Sequence, residues 1–242
     1  MAGLVRFWSF LVRVGSMLVL APPSFARLSE EVTVLGGQSV VVVMVVAVFV
    51  GSNLAIQGYR AFENIGGDQL VSVFVGLAGV REMAPITAGA MVAAKAGAGI
   101  TSAFAAMREK NQLDALEVMA VDPVGYLVVP KFYAFLLVMP MMVLVSNLFC
   151  LASGFFVARH QLGVDPLVFL EGLRSFIQVR DLWIGVLKGL VFGVLICLVS
   201  AYYGFHAARG PLGIGNATNA TVIVLCVVCI LANCLVTALF YG

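Results

Sequence analysis

Long uncharged segments alternate with short polar ones along the chain. A helix needs about 20 apolar residues to cross a bilayer core about 30 Å thick. Four segments reach that length without a Lys, Arg, Asp or Glu, namely residues 32–59, 132–158, 189–208 and 210–242. Residues 69–107 are interrupted by Arg81, Glu82 and Lys95 but are otherwise apolar, and we interpret them as one long or broken helix bent near Pro85. The pattern predicts an all-α membrane protein with five transmembrane helices.

The first 28 residues predict an amphipathic helix that lies in the membrane interface. Four polar residues fall within about a quarter of a helical wheel, and large apolar side chains occupy the rest. These four are Arg6, Ser9, Arg13 and Ser16. The alternative is a cleaved secretory signal, with small residues at Ser24 and Ala26 around the cleavage site. Arg13 in the middle of the segment and the Pro22-Pro23 pair favour the interfacial helix.

The distribution of Lys and Arg over the segments that connect the predicted membrane helices predicts the orientation of the chain in the membrane. On the side of the N-terminus lie Arg6, Arg13, Arg27, Arg108, Lys110, Lys131 and Arg209, and on the other side Arg60, Arg159, Arg174 and Arg180. The excess on the first side predicts a cytoplasmic N-terminus and a periplasmic C-terminus. Residues 167–177, which follow Asp165-Pro166, predict a short helix on the outer surface.

The most polar part of the chain, residues 108–121, predicts a short helix on the inner surface. Leu113, Leu116 and Ala120 share one face of this helix. It is either a solvated loop helix or a helix whose apolar face docks in a groove of a soluble partner. Asp122-Pro123 supplies an N-cap and a first-turn proline for the helix that follows.

Composition narrows the class of protein. Hydrophobic residues make up 62% of the 242 residues, charged residues make up 11%, and the mean hydropathy is +1.08, which excludes an ordinary soluble domain. A formal net charge of +2 without a basic face excludes a nucleic-acid-binding protein. The five cysteines lie in apolar segments without metal-ligand spacing, so we expect no metal site. The sequence has no P-loop motif and no catalytic constellation, and we interpret residues 1–242 as one domain that is not itself an enzyme and binds no cofactor.

Four ionisable residues lie within or at the edge of the predicted membrane helices. They are Arg81, Glu82, Lys95 and Lys188. A charge in the bilayer costs several kcal/mol unless it is paired or hydrated, so these side chains should face each other or a cavity. A structural ion pair and a polar path for a substrate are both open interpretations, and Lys188 is close enough to the outer interface to reach it instead.

Small residues recur at every fourth position in two of the predicted helices. One stripe contains Gly89, Ala93, Gly97 and Thr101, its neighbour contains Ala90, Ala94, Ala98 and Ser102, and a third contains Gly185, Gly189 and Gly193. Such stripes let two helix backbones approach closely. They predict either ordinary helix packing or surfaces that form a dimer seam or slide during a conformational change.

Several motifs make the chain resemble the MlaE/YrbE family, the permease subunits of ABC-type lipid transporters that work with MCE-domain proteins. The matching segments are residues 57–59 (QGY), 81–85 (REMAP), 114–119 (DALEVM), 121–123 (VDP), 126–131 (YLVVPK), 188–193 (KGLVFG) and 213–218 (GIGNAT). The similarity covers roughly residues 40 to 240, and its middle block is specific.

The resemblance implies a homodimer in the bacterial inner membrane that moves phospholipid or a related lipid between the inner and outer membranes and so maintains outer-membrane lipid asymmetry. The implied partners are a cytoplasmic ABC ATPase, which binds ATP and Mg²⁺, a periplasmic MCE-domain protein and a small STAS-type accessory subunit. The resemblance implies that residues 108–121 couple the permease to the ATPase, through Glu109, Gln112, Leu113, Asp114, Leu116, Glu117 and Met119. It also implies a lipid path near Arg81, Glu82, Lys95 and Lys188.

The chain departs from the family pattern at a few positions. Lys95 stands where an Arg is usual, which keeps the charge but loses the planar bidentate fork. Ala84 and Ala120 stand where Gly is usual, and Asn219 replaces a basic or small residue. These differences predict an altered substrate or a divergent branch of the family.

Three functions remain in competition. The leading hypothesis is the permease of an ATP-driven lipid transporter. The alternative is a channel or ion-coupled carrier that needs no ATPase and uses Arg81, Glu82 and Lys95 as its polar path. The third hypothesis is a scaffold that anchors other proteins without moving a substrate. Removal of an ATPase partner distinguishes the first two hypotheses.

Overall fold

Helices are the only regular elements in the part of the chain that the computed structural model describes, residues 2–20, 24–62 and 68–241. The α-helices are α1 (Ala2–Leu20), α2 (Phe25–Phe62), α3 (Asp68–Ala78), α4 (Ala84–Val92), α5 (Ala98–Glu109), α6 (Gln112–Val118), α7 (Val129–His160), α8 (Pro166–Phe176), α9 (Val179–Phe205) and α10 (Pro211–Tyr241). Three π-helical segments join some of them, π1 (Gly79–Met83), π2 (Ala93–Gly97) and π3 (Val124–Val128). Five helical stretches are long and apolar enough to cross a membrane, which confirms the predicted fold class.

The N-terminal helix is shorter than predicted. Within the predicted segment 1–28, residues 1 and 21–23 lie outside the described residues, and α2 already begins at Phe25. On α1, Phe10 and Val14 are buried, while Trp8 and Val12 are exposed. The helix therefore packs on π3 with one apolar stripe and presents a second apolar face outward. Its position in a membrane interface stays a prediction.

The second span is one uninterrupted helix rather than a broken one. It runs through α3, π1, α4, π2 and α5, so that the chain stays helical past Pro85. Each π-helical segment has a wider turn than the α-helix around it, and such turns occur frequently at functional sites. The sequence predicted a bend near Pro85, and the structure has π1 there, which ends at Met83, two residues before the proline.

The fourth span begins ten residues before the uncharged segment that predicted it, at Val179 instead of residue 189. The additional turns contain Arg180, Asp181 and Lys188, which a search for uncharged segments excludes. The short helix predicted after Asp165-Pro166 is present as α8, and the Asp165 carboxylate accepts a hydrogen bond from the Leu167 N–H at 2.8 Å, as an N-cap does. Its position on the outer surface stays a prediction.

The described chain contains two compact units. Unit 1 comprises Met1–Ser39, Val92–Val138 and Phe192–Cys229, and unit 2 comprises Val40–Met91, Met139–Val191 and Ile230–Gly242. In unit 1, Phe104 is fully buried and Thr101 Oγ1 lies 3.1 Å from Thr221 Oγ1. The hydroxyl pair gives each polar group a partner in an apolar surrounding.

Unit 2 has its main hydrophobic core among α2, α3, α7 and α8. The buried residues of this core are Ala47, Leu54, Ala55, Val71, Val75, Ala84, Cys150, Val157, Ala158, Val164 and Phe169. At Gly51 a β-carbon would lie 2.0 Å from the Cys150 carbonyl oxygen, and at Gly154 it would lie 2.8 Å from Val75 Cγ1. The two glycines therefore let the backbones of α2 and α7 touch.

Candidate functional site

A cluster of charged and polar side chains lies within unit 2, where π1, α9 and the last turns of α10 meet. This polar cluster consists of Arg81, Glu82, Asp181, Lys188, Asn233, Thr237 and Tyr241. Arg81, Glu82 and Lys188 are predicted site residues, and the structure brings all three together. The other four are absent from the sequence-based prediction.

The proline after π1 explains part of the geometry. Pro85 has no N–H, so it cannot donate to the carbonyl oxygen of Arg81, four residues earlier in the helix. Lys188 Nζ donates to this oxygen instead, at 2.6 Å. The helix thus offers a backbone acceptor to the lysine of α9, and the sequence motif REMAP supplies both the charges and the free carbonyl.

Lys188 is fully buried, with none of its side chain exposed. Its ammonium group has three hydrogen-bond donors. They reach the Arg81 carbonyl oxygen, Thr237 Oγ1 at 2.7 Å and Glu82 Oε1 at 3.4 Å. The expectation that Lys188 extends to the outer interface does not hold, because the nearby acceptors satisfy it inside the protein.

Glu82 is the member of this ion pair that reaches the surface of unit 2. Its side chain is 35% exposed. Thr237 Oγ1 donates to Glu82 Oε1 at 2.6 Å, and Asn233 Nδ2 donates to Glu82 Oε2. The Asn233 amide oxygen is buried and has no hydrogen-bond partner in the described part of the chain. The carboxylate is therefore held in place by α9 and α10 while part of it stays accessible.

Asp181 forms the second ion pair of the polar cluster. Its side chain is only 3% exposed and accepts from Arg81 Nε at 2.9 Å and from the Tyr241 hydroxyl at 2.6 Å. The second carboxylate oxygen accepts from the Gln178 N–H at 3.0 Å, while the Asp181 N–H donates to the Gln178 carbonyl oxygen. The Asp181 side chain thus caps the first turn of α9, as the acidic residue of a capping box does.

The polar cluster is electrically balanced, because two cations face two carboxylates. The pairing offsets the cost of placing four charges in an apolar helix bundle. Arg81 also stacks on the Tyr241 ring, with Cζ 4.4 Å from the ring centroid. Of the four predicted charges, Glu82 and Lys188 pair with each other, whereas Arg81 pairs with Asp181, which the sequence did not indicate. Partial exposure of Arg81 and Glu82 leaves two charges able to meet a polar group from outside.

Lys95, the fourth predicted charge, is not a member of the polar cluster. It belongs to π2 in unit 1, and its side chain is exposed. Among the residues with described side chains it forms no hydrogen bond or ion pair. An unpaired ammonium in a stretch that is long and apolar enough to cross a membrane needs a counter-charge or water from outside the chain.

The small-residue stripes differ in their exposure. Gly89, Ala93, Gly97 and Thr101 are all buried, whereas Ala90, Ala94, Ala98 and Ser102 are partly or fully exposed. At Gly97 a β-carbon would lie 3.0 Å from Leu225 Cδ1 and 3.1 Å from Ser200 Oγ. The first stripe is therefore occupied by packing within the chain, and the second is the one that a partner could cover.

The third stripe also serves packing within the chain. Gly185, Gly189 and Gly193 are buried. At Gly189 a β-carbon would lie 3.0 Å from Pro140 Cα and 3.2 Å from the Met139 carbonyl oxygen. Gly189 follows Lys188 directly, so this close contact between α9 and α7 also fixes the position of the buried lysine.

The predicted coupling segment, residues 108–121, is not one helix. α5 ends at Glu109, α6 extends over Gln112–Val118, and turns separate them. Asn111 in the turn between the two helices and Ala120 in the turn after α6 have φ of 54° and 59°, in the left-handed region that a continuous helix does not visit. Asn tolerates this conformation, whereas Ala120 is strained there, which gives a physical reason for the glycine usual at this position in the resembling family.

The apolar residues of α6 divide between the interior and the surface. Leu113 is buried and Leu116 is half-buried, so the predicted docking face partly packs on the chain itself. Val118 and Met119 are 88% and 64% exposed. The apolar surface that this segment offers to a partner thus lies at the C-terminal end of α6, beside the exposed carboxylate of Glu117.

Two carboxylates of the coupling segment are engaged within unit 1. Glu109 Oε2 accepts from the Gly210 N–H at 2.7 Å, and Asp114 lies 3.8 Å from Arg209. Gly210 has φ of 101°, a conformation open mainly to glycine, which allows the sharp turn before α10. These contacts tie α5 and α6 to the connection between α9 and α10. Glu117 and Gln112 are exposed on the surface of α6.

Comparison with known proteins gives an independent description of the chain. The family described as permease MlaE matches residues 28–239. A probable ABC transporter permease protein of Rickettsia prowazekii is 30% identical over 239 residues, which cover 99% of this chain and 92% of that protein. A probable ABC transporter permease protein of Rickettsia felis is 31% identical and covers 92% of this chain and 86% of its own length. The intermembrane phospholipid transport system permease protein MlaE of Haemophilus influenzae is 27% identical, over 98% of this chain and 94% of that protein.

Proposed function

This chain belongs to the MlaE permease family, and we propose that it is the membrane-spanning subunit of an ATP-driven transporter that moves phospholipid between the inner and outer membranes of a bacterium. The observation that carries the proposal is the family match over residues 28–239. Similarity to a relative named for phospholipid transport supports the choice of substrate. The polar cluster and the five apolar spans are compatible with this function. We also propose that the transporter maintains outer-membrane lipid asymmetry.

The proposal assigns α6 to the ATPase partner. Val118, Met119 and Glu117 are exposed at its C-terminal end, whereas Leu113 and Leu116 hold α6 on unit 1. Movement of the ATPase is then transmitted through α6 to α5 and to the connection before α10, because Glu109 and Arg209 join these segments. ATP and Mg²⁺ are bound by the partner and not by this chain.

A charge reversal at the surface of α6 tests this assignment. Glu117→Lys and Met119→Asp are expected to abolish co-purification of the ATPase while leaving membrane insertion and thermal unfolding unchanged, because both side chains are exposed. Glu171→Lys on α8 is the matched control, since Glu171 is also an exposed helical carboxylate. Retention of the ATPase by both α6 variants would contradict the docking role.

The proposal assigns the lipid path to the charges that remain accessible. Glu82 and Arg81 are partly exposed, and Lys95 is exposed and has no partner among the described side chains. Lys95 would attract a lipid phosphate as a point charge, without the bidentate geometry of an arginine. Lys95→Met should therefore reduce lipid movement, whereas Lys95→Arg should retain it. Equal activity of Lys95→Met and the unaltered protein would remove Lys95 from the path.

The remaining partners follow from the same proposal. A second copy of the chain would cover the exposed small-residue stripe, an MCE-domain protein would bind on the periplasmic side, and a STAS-type subunit would bind the ATPase. The N-terminus would be cytoplasmic and the C-terminus periplasmic. Native mass spectrometry of the complex extracted gently from its own membrane tests the composition. Two copies of this chain with two ATPase subunits and an MCE-domain protein are expected, and a complex that reproducibly has no ATPase would contradict the proposal.

A further inference from the structure

Unit 1 contains a cavity of about 260 Å³ that the proposed lipid path does not include. It is lined by the first turns of α2, the second half of α5 and the junction of π3 with α7. The volume is smaller than the roughly 300–1,000 Å³ of pockets that enclose drug-sized ligands. The cavity therefore suits one polar group of a larger molecule better than the whole molecule.

The charged lining of this cavity is balanced, and half of it is already paired. Lys131 Nζ donates to both carboxylate oxygens of Glu31, at 2.6 and 2.7 Å. Arg27 and Glu30, one helical turn apart on α2, form no hydrogen bond or ion pair in the described part of the chain. One guanidinium and one carboxylate are thus left with unused hydrogen-bonding capacity at the same cavity.

An aromatic ring fixes the position of the free cation. Arg27 Cζ lies 4.1 Å from the centroid of the Tyr126 ring, a distance typical of a cation–π contact. The contact uses one face of the guanidinium and leaves its N–H donors, which lie in the plane, available for an anion. Arg27 is therefore oriented by the protein without being neutralised by it.

The rest of the lining is apolar. Phe104 is fully buried, and Leu127 and Pro130 form part of the same wall. A site that combines one free cation, one free anion and an apolar wall matches an amphiphile whose polar end carries both charges. A purely anionic ligand would leave Glu30 facing a like charge, which costs binding energy.

The cavity lies where the helices change from charged to uncharged sequence. Glu31 is the last ionisable residue before the uncharged segment 32–59, and Lys131 is the last before 132–158. Such transitions mark the boundary between water and hydrocarbon, and a tyrosine at this level is typical of the membrane interface. The molecules available at that depth are the lipids of the adjacent leaflet.

We propose that this cavity binds the headgroup of a zwitterionic, amine-bearing phospholipid, with the phosphate on Arg27 and the ammonium group on Glu30. The acyl chains would follow the apolar wall into the bilayer. The proposal concerns binding only and holds whether or not the bound lipid is the one transported. Its test therefore requires neither the ATPase nor lipid movement.

The test compares two phospholipids with identical acyl chains, phosphatidylethanolamine and phosphatidylglycerol, titrated onto the detergent-purified protein and counted by native mass spectrometry. Glu30→Gln is expected to weaken the retention of phosphatidylethanolamine by up to about fivefold, as expected for loss of one exposed ion pair. The same variant should strengthen retention of phosphatidylglycerol, because the site then carries a net positive charge. Arg27→Gln should weaken both lipids.

The control is a second pair of oppositely charged residues that lie three positions apart on a helix, as Arg27 and Glu30 do, but outside the cavity. Glu171 and Arg174 are exposed and lie three residues apart on α8, so Glu171→Gln and Arg174→Gln should leave both lipids unaffected. Unchanged retention of phosphatidylethanolamine in Glu30→Gln overturns the proposal. A preference of the unaltered protein for phosphatidylglycerol that disappears only in Arg27→Gln also overturns it, in favour of an anionic-lipid site.

Discussion

Replacement of Lys188 by methionine tests whether the polar cluster stabilises the fold. The substitution keeps an unbranched side chain of similar length and removes the ammonium group. Lys188 is fully buried, so the Arg81 carbonyl oxygen and Thr237 Oγ1 would lose their donor and no water could replace it. Glu82 would keep its hydrogen bonds from Thr237 and Asn233 but would lose its counter-charge.

The expected loss of stability can be estimated from these contacts. Removal of one partner of a buried ion pair costs about 3–5 kcal/mol. Because Glu82 is 35% exposed and partly hydrated, we expect the lower end, about 3 kcal/mol. For a domain of this size about 1 kcal/mol corresponds to roughly 2–4 °C, so the unfolding temperature should fall by about 6–12 °C.

Thermal unfolding in detergent, followed by the fluorescence of Trp8 and Trp183, measures this difference. Lys95→Met is the matched control, because Lys95 is an exposed lysine that has no partner in the described part of the chain. The unfolding temperature of this variant should change by less than about 2 °C. The double variant Lys188→Met with Glu82→Gln should recover about 1–2 kcal/mol of the loss. A fall for Lys188→Met no larger than that for Lys95→Met would refute the account of the polar cluster.

Two further substitutions test local backbone geometry by the same unfolding measurement. Ala120→Gly should stabilise the protein by about 1 kcal/mol, because it removes the strain of φ = 59°, whereas Ala115→Gly within α6 should destabilise it by about 1 kcal/mol. A loss of stability in Ala120→Gly would contradict the strain. Gly51→Ala should destabilise the protein by at least about 2 kcal/mol, because the new methyl would lie 2.0 Å from a backbone oxygen of Cys150, whereas Gly37→Ala on the same helix meets nothing within 4 Å and should stabilise it slightly. Equal effects at Gly51 and Gly37 would contradict the close contact of α2 and α7.

The number and approximate position of the membrane spans were predictable from the hydropathy of the sequence. The bilayer fixes a length, and segments such as 32–59 and 132–158 meet it without a charge. The same rule placed the start of the fourth span too late, at residue 189 instead of Val179. A search for uncharged segments assumes that a charge ends a span, and that assumption fails where the charge has a partner inside the protein.

The polar cluster was predictable only in part. Arg81, Glu82 and Lys188 are conspicuous because charges are rare in apolar helices, but their partners are mostly neutral. Asn233, Thr237 and Tyr241 follow one another at intervals of four residues, which places them on one face of α10. That polar stripe in an otherwise apolar helix indicates the α10 residues of the polar cluster, which the sequence analysis did not predict.

Two other features of the structure are not visible in a local sequence pattern. Asp181 is predictable as a capping residue from its position three after Gln178, but its ion pair with Arg81 joins residues 100 positions apart. The π-helical turns at residues 79–83 and 93–97 depart from the regular geometry of the α-helices around them. Sequence periodicity assumes a regular α-helix and does not register them.

Transport of a labelled phospholipid by the reconstituted complex tests the central claim most directly. The complex, purified from its own membrane with its partners, would be placed in proteoliposomes, and movement of the lipid to acceptor vesicles would be followed with and without ATP. We expect movement that requires both ATP and the ATPase and that is lost in Met119→Asp. Movement at the same rate by this chain alone, without ATP or ATPase, would contradict the account and identify the protein as an autonomous channel or carrier.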